Sequence, residues 1–352
     1  MPTEQTPTER ADAHARRLSA LSTADGPLNP SSATATINNA TWFTPGARPL
    51  EPHAARQDVH DELIAKWTAR QPTVRSEHQA IVLAGPPGAG KSTVLTAVIA
   101  ATATTADDWR IINSDEFKDA LLTEAQRDGS YQTWLLQGHL GDLQAAGERF
   151  WPRELAALVH AEARILVDLA LETAIAAGDN IVLDGTLSDA SSAHALFDQL
   201  TAARYNVHLT NVEAPEEIVQ ARVAARWRAD YLAAEAGTST DPAVHTLGGR
   251  WVPSEVLHTL YTDDHAQESI CAAVAREVAE RHPAVRDYTA YRVTEPTGAP
   301  GLVEHRGRVR NSPLLDGETY RAARAADAAR PPTPATQPPR RRGEPDRGTG
   351  RD

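Results

Sequence analysis

A single cysteine, Cys271, serves the whole 352-residue chain. One cysteine closes no intramolecular disulfide and builds no cysteine-based zinc site, which excludes both classes and suits a reducing cytoplasm. Long apolar runs are also missing: no segment offers about 18 uninterrupted apolar residues, so no membrane span is expected. The opening stretch, MPTEQTPTERADAHARRLSA, carries charges throughout and lacks the apolar core of an export signal. Basic residues are in deficit, 35 against 47 acidic ones, for a net charge of −12. A general nucleic-acid binder would need a strong local basic patch to overcome that field, so small-molecule chemistry is the starting point and no nucleic-acid partner is expected.

What is present suffices for a sizeable core. Apolar residues make up 41% of the chain, and the length fits about two domains or one large α/β domain with extensions. Residues 1–45 are rich in Thr, Ser, Ala and Pro with little periodicity, apart from a short helix around Ala13 to Leu21, and are expected to form a mobile N-terminal arm. Val59, Leu63, Ile64 and Trp67 then share one helical face over residues 54–70. β-branched runs follow at Ala80 to Ala84, Arg110 to Asn113, Asn180 to Leu183, Asn206 to Val212 and Tyr288 to Val293, with helical stretches between them. Strands alternating with helices predict an α/β fold, a parallel sheet flanked by helices on both faces, over residues 46–315. Pro, Arg and Gly dominate the end of the chain, where Arg340, Arg341 and Arg342 lie, and residues 316–352 are expected to be a disordered tail.

The strongest motif is Gly85-Pro86-Pro87-Gly88-Ala89-Gly90-Lys91-Ser92, after the strand AIVLA and before the helical run TVLTAVIAATA. It satisfies G-x-x-x-x-G-K-[ST] in the strand-loop-helix setting that a P-loop requires. Gly88 and Gly90 let backbone N–H groups wrap phosphates, the helix N-terminus adds partial positive charge, and Lys91 reaches the β/γ-phosphates. Ser92, followed by Thr93, offers the hydroxyl that holds Mg²⁺ in such loops. A P-loop defines nucleotide binding but not the acceptor.

Three further groups bear on the acceptor. Asp115 stands after the second strand, where a carboxylate either takes a proton from an acceptor hydroxyl, organises Mg²⁺, or, with Ser114, merely caps a helix. Asp184, Gly185 and Thr186 end the third strand as a Mg²⁺-organising carboxylate does, or as plain turn chemistry. Arg222, Arg226 and Arg228 lie on one helix, followed by Arg250. Arginines on a closing lid stabilise the charge of a transferring phosphoryl group, and a solvated basic face would look the same.

In order, GPPGAGKST, Asp115-Glu-Phe-Lys118, Asp184-Gly-Thr-Leu187, Arg226-Trp and Arg250-Trp-Val-Pro-Ser-Glu-Val-Leu-His258 resemble the motifs of the zeta-toxin family, P-loop small-molecule kinases of bacterial toxin-antitoxin systems. The resemblance runs over about Pro52 to His305. It implies a P-loop kinase-like fold with an arginine-bearing lid near 222–252, ATP or GTP as phosphate donor with Mg²⁺, and phosphorylation of the sugar 3′-hydroxyl of UDP-N-acetylglucosamine. It further implies an antitoxin protein that blocks the nucleotide site. By position, Lys91 and Ser92 bind phosphate and Mg²⁺, Asp115 is the base and a metal neighbour, Asp184 and Thr186 contact the acceptor, and Arg226 and Arg250 clamp the phosphoryl group. Lys118 and Glu162 are expected to line the acceptor pocket, with a salt-bridge role for Glu162 as the alternative.

The chain departs from the family pattern in places. Asp184 is one methylene shorter than the family's Glu, and Ser188 stands where a well-known member has Arg. Residues 123–154 form a longer connection, whose Trp134, Phe150 and Trp151 are expected to add an aromatic wall on the acceptor side. The loop around Gly237 to Pro242 is also expanded. Other nucleotide-like acceptors, NAD and antibiotics among them, are therefore alternatives, as is a non-catalytic nucleotide-binding switch.

Overall fold

The computed structural model describes residues 6–262, 268–310 and 312–329. Its centre is β1 (Gln79–Ala84), whose run of small and branched apolar residues is buried from Ala80 onward. Ala80, Val82 and Ala84 point into one core while Ile81 and Leu83 point into another, the two-sided burial of a parallel-sheet strand. β2 (Arg110–Asn113), β3 (Ile181–Asp184), β4 (Asn206–Glu213) and β5 (Val285–Arg292) run parallel to it, and β6 (Gly301–Gly307) and β7 (Leu315–Asp316) continue antiparallel, in the order β2-β3-β1-β4-β5-β6-β7.

The parallel strands match the expected α/β architecture, but the third begins and ends one residue later, so Asp184 closes it. The antiparallel pair was not legible, because β7 is two residues long and β6 leaves Leu302 and Val303 exposed instead of forming a clean apolar face. Among the described residues no helix is long and apolar enough to cross a membrane.

The helices are α1 (Pro7–Leu21), α2 (Ala54–Ala69), α3 (Lys91–Ala101), α4 (Ser114–Asp128), α5 (His139–Ala145), α6 (His160–Ala177), α7 (Ala190–Ala202), α8 (Glu216–Ala236), α9 (Pro242–Leu247), α10 (Ser254–His258), α11 (Ile270–Arg281) and α12 (Gly317–Ala328). α3 makes the β1-to-β2 crossover, α4 to α6 fill the β2-to-β3 connection, and α8 to α11 lie between β4 and β5. Cys271 is buried on α11.

Two terminal expectations are corrected within the described residues. The N-terminal segment is packed, not mobile. Thr6 and Glu9 form a reciprocal cap on α1, and Ala11, His14, Leu18 and Leu21 recur at helical spacing on its buried face. The His14 ring bridges Glu148 (Nδ1 to Oε1, 2.6 Å) and Glu154 (Nε2 to Oε2, 2.9 Å) and stacks on Tyr231 at 5.1 Å. Asp12 pairs with Arg228 on α8, and Leu28 and Phe43 bury farther along. At the other end, Asp316 caps α12, and Tyr320 packs its ring where Gly307 leaves no side chain. Residues 330–352, with Arg340 to Arg342, lie outside the described residues.

The expected aromatic wall is likewise part of the interior. Phe150 and Trp151 are buried, His14 lies 6.0 Å from the Phe150 ring, and Trp134 donates from Nε1 to the Ala35 carbonyl at 3.3 Å. Phe150 and Trp134 anchor the N-terminal segment, whereas Trp151 packs against Gly248 and donates from Nε1 to Glu235 Oε1 at 3.1 Å.

Glu162 also leaves the candidate pocket. It is fully buried on α6, where it accepts from Arg56 Nε (2.5 Å) and Nη2 (2.9 Å) and meets His60 Nε2 at 2.8 Å. Both its oxygens are committed to α2, because a buried carboxylate needs a partnered charge. Burial pushes its pKa up, but the hydrogen bonds from His60 and Arg56 and the arginine charge more than offset this and hold it below the usual carboxylate range.

Two outcomes follow. Leu18→Ala should cost about 2–5 kcal/mol in urea unfolding, the range for a buried leucine, whereas Arg16→Ala on the exposed face should stay within about 0.5 kcal/mol. Glu162→Gln should cost about 3–5 kcal/mol at neutral pH by leaving Arg56 uncompensated. The lowered Glu162 pKa contributes stability that is complete above the unfolded carboxyl value, about 4.3, and lost as pH falls through the folded value. The acid loss of stability should therefore be shallower in Glu162→Gln, read from denaturant midpoints at stepped pH.

Candidate active site

β1 ends in a loop that only glycine can form at its tightest points. Gly85 has φ 124°, and a Cβ there would lie 2.0 Å from the Val212 carbonyl oxygen; Gly88 has φ 84° against Val223 and the Val219 carbonyl. The loop ends at Gly90, the N-cap of α3, so the unpaired N–H groups of the first helical turn face the loop's concavity. Lys91 folds back across it, donating from Nζ to the Gly85 carbonyl at 2.9 Å and the Pro86 carbonyl at 3.3 Å. Burial lowers the pKa of its amine, while the charges of Asp184 and Asp115 oppose that shift. Ser92 and Thr93, next on α3, are exposed.

Beside the phosphate loop, β2 and β3 end side by side. Asn113 and Asp184 are register partners, and Asn113 Nδ2 donates to Asp184 Oδ2 at 3.0 Å. Asn113 Oδ1 accepts the Asp115 backbone N–H at 2.8 Å and is the N-cap of α4. The cap role weighed for Ser114 or Asp115 thus belongs to Asn113, and the Asp115 side chain is left for the cleft. Desolvation pushes the Asp184 carboxyl up, with Lys91 opposing.

Asp115 is surrounded by cations. Lys118 Nζ donates to its Oδ1 at 3.1 Å, and Arg250 Nε lies 3.4 Å from its Oδ2. Desolvation raises its pKa, but the Lys118 and Arg250 charges win and hold it at about 2. The carboxylate is ionised at neutral pH while its side chain stays 45% exposed. Thr186 accepts the Gly85 N–H through its carbonyl at 3.0 Å, joining the end of β3 to the phosphate loop, and its hydroxyl meets Ser188 Oγ at 3.1 Å.

The arginines of α8 divide by role. Arg228 is tied to α1 through Asp12. Arg222 donates to the Pro296 carbonyl at 2.8 Å and the Gly298 carbonyl at 2.6 Å, which pins the β5–β6 turn beside the phosphate loop. Arg226 is exposed, makes no ion pair among the described residues, and is close enough to act electrostatically on Lys91 and Asp115. Arg250 donates from Nη2 to Asp119 Oδ1 at 2.5 Å and to the Asp115 carbonyl at 3.3 Å.

The structure thus brings Lys91, Asp115, Lys118, Asp184, Arg226 and Arg250 around one cleft and leaves Glu162 out of it. Asn113, Asp119 and Arg153 were missed by sequence reasoning. Asp119 alone left a signal, one helical turn beyond Asp115.

Residues 81–240 match the family of AAA domains. No curated protein matches the chain significantly. Solved structures similar to the chain include the complex of AvrRxo1-ORF1 and AvrRxo1-ORF2 with sulphate ions, at 16% identity over 79% of this chain and 74% of that one, with a TM-score of 0.48. The same pair with ATP is similar at 17% identity over 78% and 73%, with a TM-score of 0.45. The chromosomal toxin-antitoxin system PezAT of the human pathogen Streptococcus pneumoniae is similar at 15% identity over 70% and 80%, with a TM-score of 0.44. The phosphate loop, Gly85 to Ser92, lies inside the stretch that matches the AAA domain.

Proposed function

We propose that the protein is a nucleotide-dependent kinase that transfers the γ-phosphate of ATP or GTP to a hydroxyl of a nucleotide-linked small molecule, with the sugar 3′-hydroxyl of UDP-N-acetylglucosamine the first candidate. The observation that carries this reading is the ionised Asp115 carboxylate, held between Lys118 and Arg250 in the electrostatic neighbourhood of the P-loop lysine. Phosphoryl transfer asks a protein for positioning and for charge stabilisation more than for covalent chemistry. Lys91 would exchange two carbonyl partners for the β/γ-phosphates, and Arg226 would meet the transferring group as the lid closes.

A carboxylate at about 2 is a weak base. In a loose transition state the acceptor hydroxyl loses its proton late, so Asp115 chiefly orients that hydroxyl through a hydrogen bond and receives the proton as the new P–O bond completes. Ser92 and the Asp115 and Asp184 carboxylates form an all-oxygen donor set, which suits Mg²⁺, an ion that prefers few protein ligands plus phosphate oxygens. When bound there it would neutralise charge on the β/γ-phosphates. An antitoxin that occupies the nucleotide cleft is part of this reading, as is a cytoplasmic site of action.

A different nucleotide-like acceptor, such as NAD, is favoured by one observation. Asp184 Oδ2 already accepts from Asn113 Nδ2, which tethers this shorter carboxylate toward β2 and leaves it fewer free lone pairs for the acceptor. Purified protein given Mg²⁺ with ATP or GTP and UDP-N-acetylglucosamine, NAD or a cell-extract metabolite pool separates these cases by mass spectrometry. The expected result is a one-phosphate mass gain on one acceptor, reduced at least about 100-fold in Lys91→Ala. Nucleotide binding without phosphate on any acceptor would overturn the kinase reading and leave the nucleotide-binding switch.

A further inference from the structure

Arg250 is anchored with unusual completeness for a residue on a connecting loop. Its neighbour Trp251 donates from Nε1 to Ser22 Oγ at 3.0 Å and stands edge-on to Trp227 at 5.2 Å, which fixes the backbone from the side of α1 and α8. Two residues earlier, Gly248 presses against Trp151, where a Cβ would lie 2.4 Å from the side chain. The Gly248 carbonyl accepts from Arg153 Nη1 at 3.5 Å.

Arg153 in turn grips Asp119 with Nε (3.1 and 3.2 Å) and Nη2 (2.7 Å). Asp119 therefore sits between two guanidinium groups. Its Oδ1 accepts Arg250 Nη2 at 2.5 Å, and its side chain is 20% exposed, beside 12% for Arg250 and 13% for Arg153. A guanidinium carries five N–H donors. Arg250 commits Nη2 to Asp119 and to the Asp115 carbonyl and turns Nε toward Asp115 Oδ2, yet its Nη1 is buried with no partner among the described residues. A buried donor is costly to leave unsatisfied, and an anionic ligand atom is a partner that would complete this network.

We propose that Asp119, backed by Arg153, is the positioning residue that holds Arg250 with its free Nη1 directed at the terminal phosphate of the bound nucleotide. The proposal rests on the phosphotransfer reading of the cleft. Asp119 also keeps Arg250 from collapsing onto Asp115. Without that second carboxylate, the guanidinium would pair fully with Asp115, and the cation for the phosphate and the acceptor for the hydroxyl would be lost together. Asp119 touches neither substrate; it acts through Arg250.

The test compares wild type, Asp119→Asn, Arg250→Ala and the double variant by steady-state transfer and by calorimetric titration with a non-hydrolysable ATP analogue and with ADP. Asp119→Asn is expected to lower kcat roughly 100-fold, the scale of a catalytic group displaced by about 1 Å, and to leave KM for the acceptor within about 3-fold. The preference for triphosphate over diphosphate should fall about 10-fold in Asp119→Asn and in Arg250→Ala, with ADP affinity unchanged. The double variant should be no worse than Arg250→Ala, since the two groups act as a unit.

Equal binding of triphosphate and diphosphate by wild type would overturn the proposal. So would an Asp119→Asn variant that keeps both kcat and the preference, or a double variant whose loss is the product of the single losses. If wild type transfers phosphate to no acceptor, the kinase reading falls, and the triphosphate preference alone still decides the role of Asp119. Should Asp119→Asn melt early, Arg153→Gln removes the same support from behind, with an expected loss of about 10-fold in the preference.

Discussion

A cation meant for a phosphate must wait for it in a partly dry cleft, and that requirement shapes this site more than any other. Burial opposes the charge on Lys91, and the structure answers with two backbone carbonyls at its amine and the fields of Asp184 and Asp115 nearby. Arg250 is answered by Asp119 and Asp115. Each carboxylate in turn is kept ionised or held in place by the cations and amides around it. The outcome is positive charge ready for an anion at little cost in reorganisation, the condition under which electrostatic stabilisation is most effective.

The sheet makes this possible because its central strands all end on one side. β1 delivers the phosphate loop, β3 delivers Asp184, and β2 delivers Asn113, whose side chain spans both carboxylate positions by donating to Asp184 and accepting from the Asp115 backbone. The helices farther along the chain then supply what the strands cannot. α4 carries Asp115, Lys118 and Asp119 on its first turns, α8 carries Arg226, and the loop after α9 carries Arg250. α1 and the buried rings of Phe150 and Trp151 brace α8 and the loop before α10, so the terminal segment works as scaffold for the arginines.

Legibility in the sequence followed how local the constraint was. The phosphate loop was plain because its residue types are dictated within eight positions by backbone geometry and phosphate chemistry. The positions of Asp115 and Asp184 were legible because residues at or just beyond the end of an apolar strand stand at the carboxyl edge of a parallel sheet; their part in transfer belongs to the proposal. Of the two roles open to Glu162, pocket lining and salt bridge, the structure has the salt bridge: α6 turns it toward α2, whose Arg56 and His60 lie about a hundred positions earlier, and no local pattern decides between the two. Asp119 and Arg153 were overlooked for the same reason: their meaning comes from each other and from Arg250. Residues 1–45 read as mobile since their anchors, Leu18, Leu28 and Phe43, are sparse among small polar residues, and only the finished core, with α2 beside Phe43, gives those anchors somewhere to bury. The short antiparallel β6 and β7 depend on β5 being in place and have no pattern of their own.

In the proposed kinase Asp115 acts on transfer more than on nucleotide binding, although it stands within the field of the P-loop lysine. The most direct measurement is a single-turnover comparison of wild type and Asp115→Asn, with nucleotide affinity and the rate of phosphate appearance on the acceptor read from the same preparations. Nucleotide affinity is expected within about 3-fold of wild type and the transfer rate reduced by about 100-fold or more, as for loss of a group that acts in the transition state. An unchanged transfer rate, or an equal loss of affinity and rate, would contradict it.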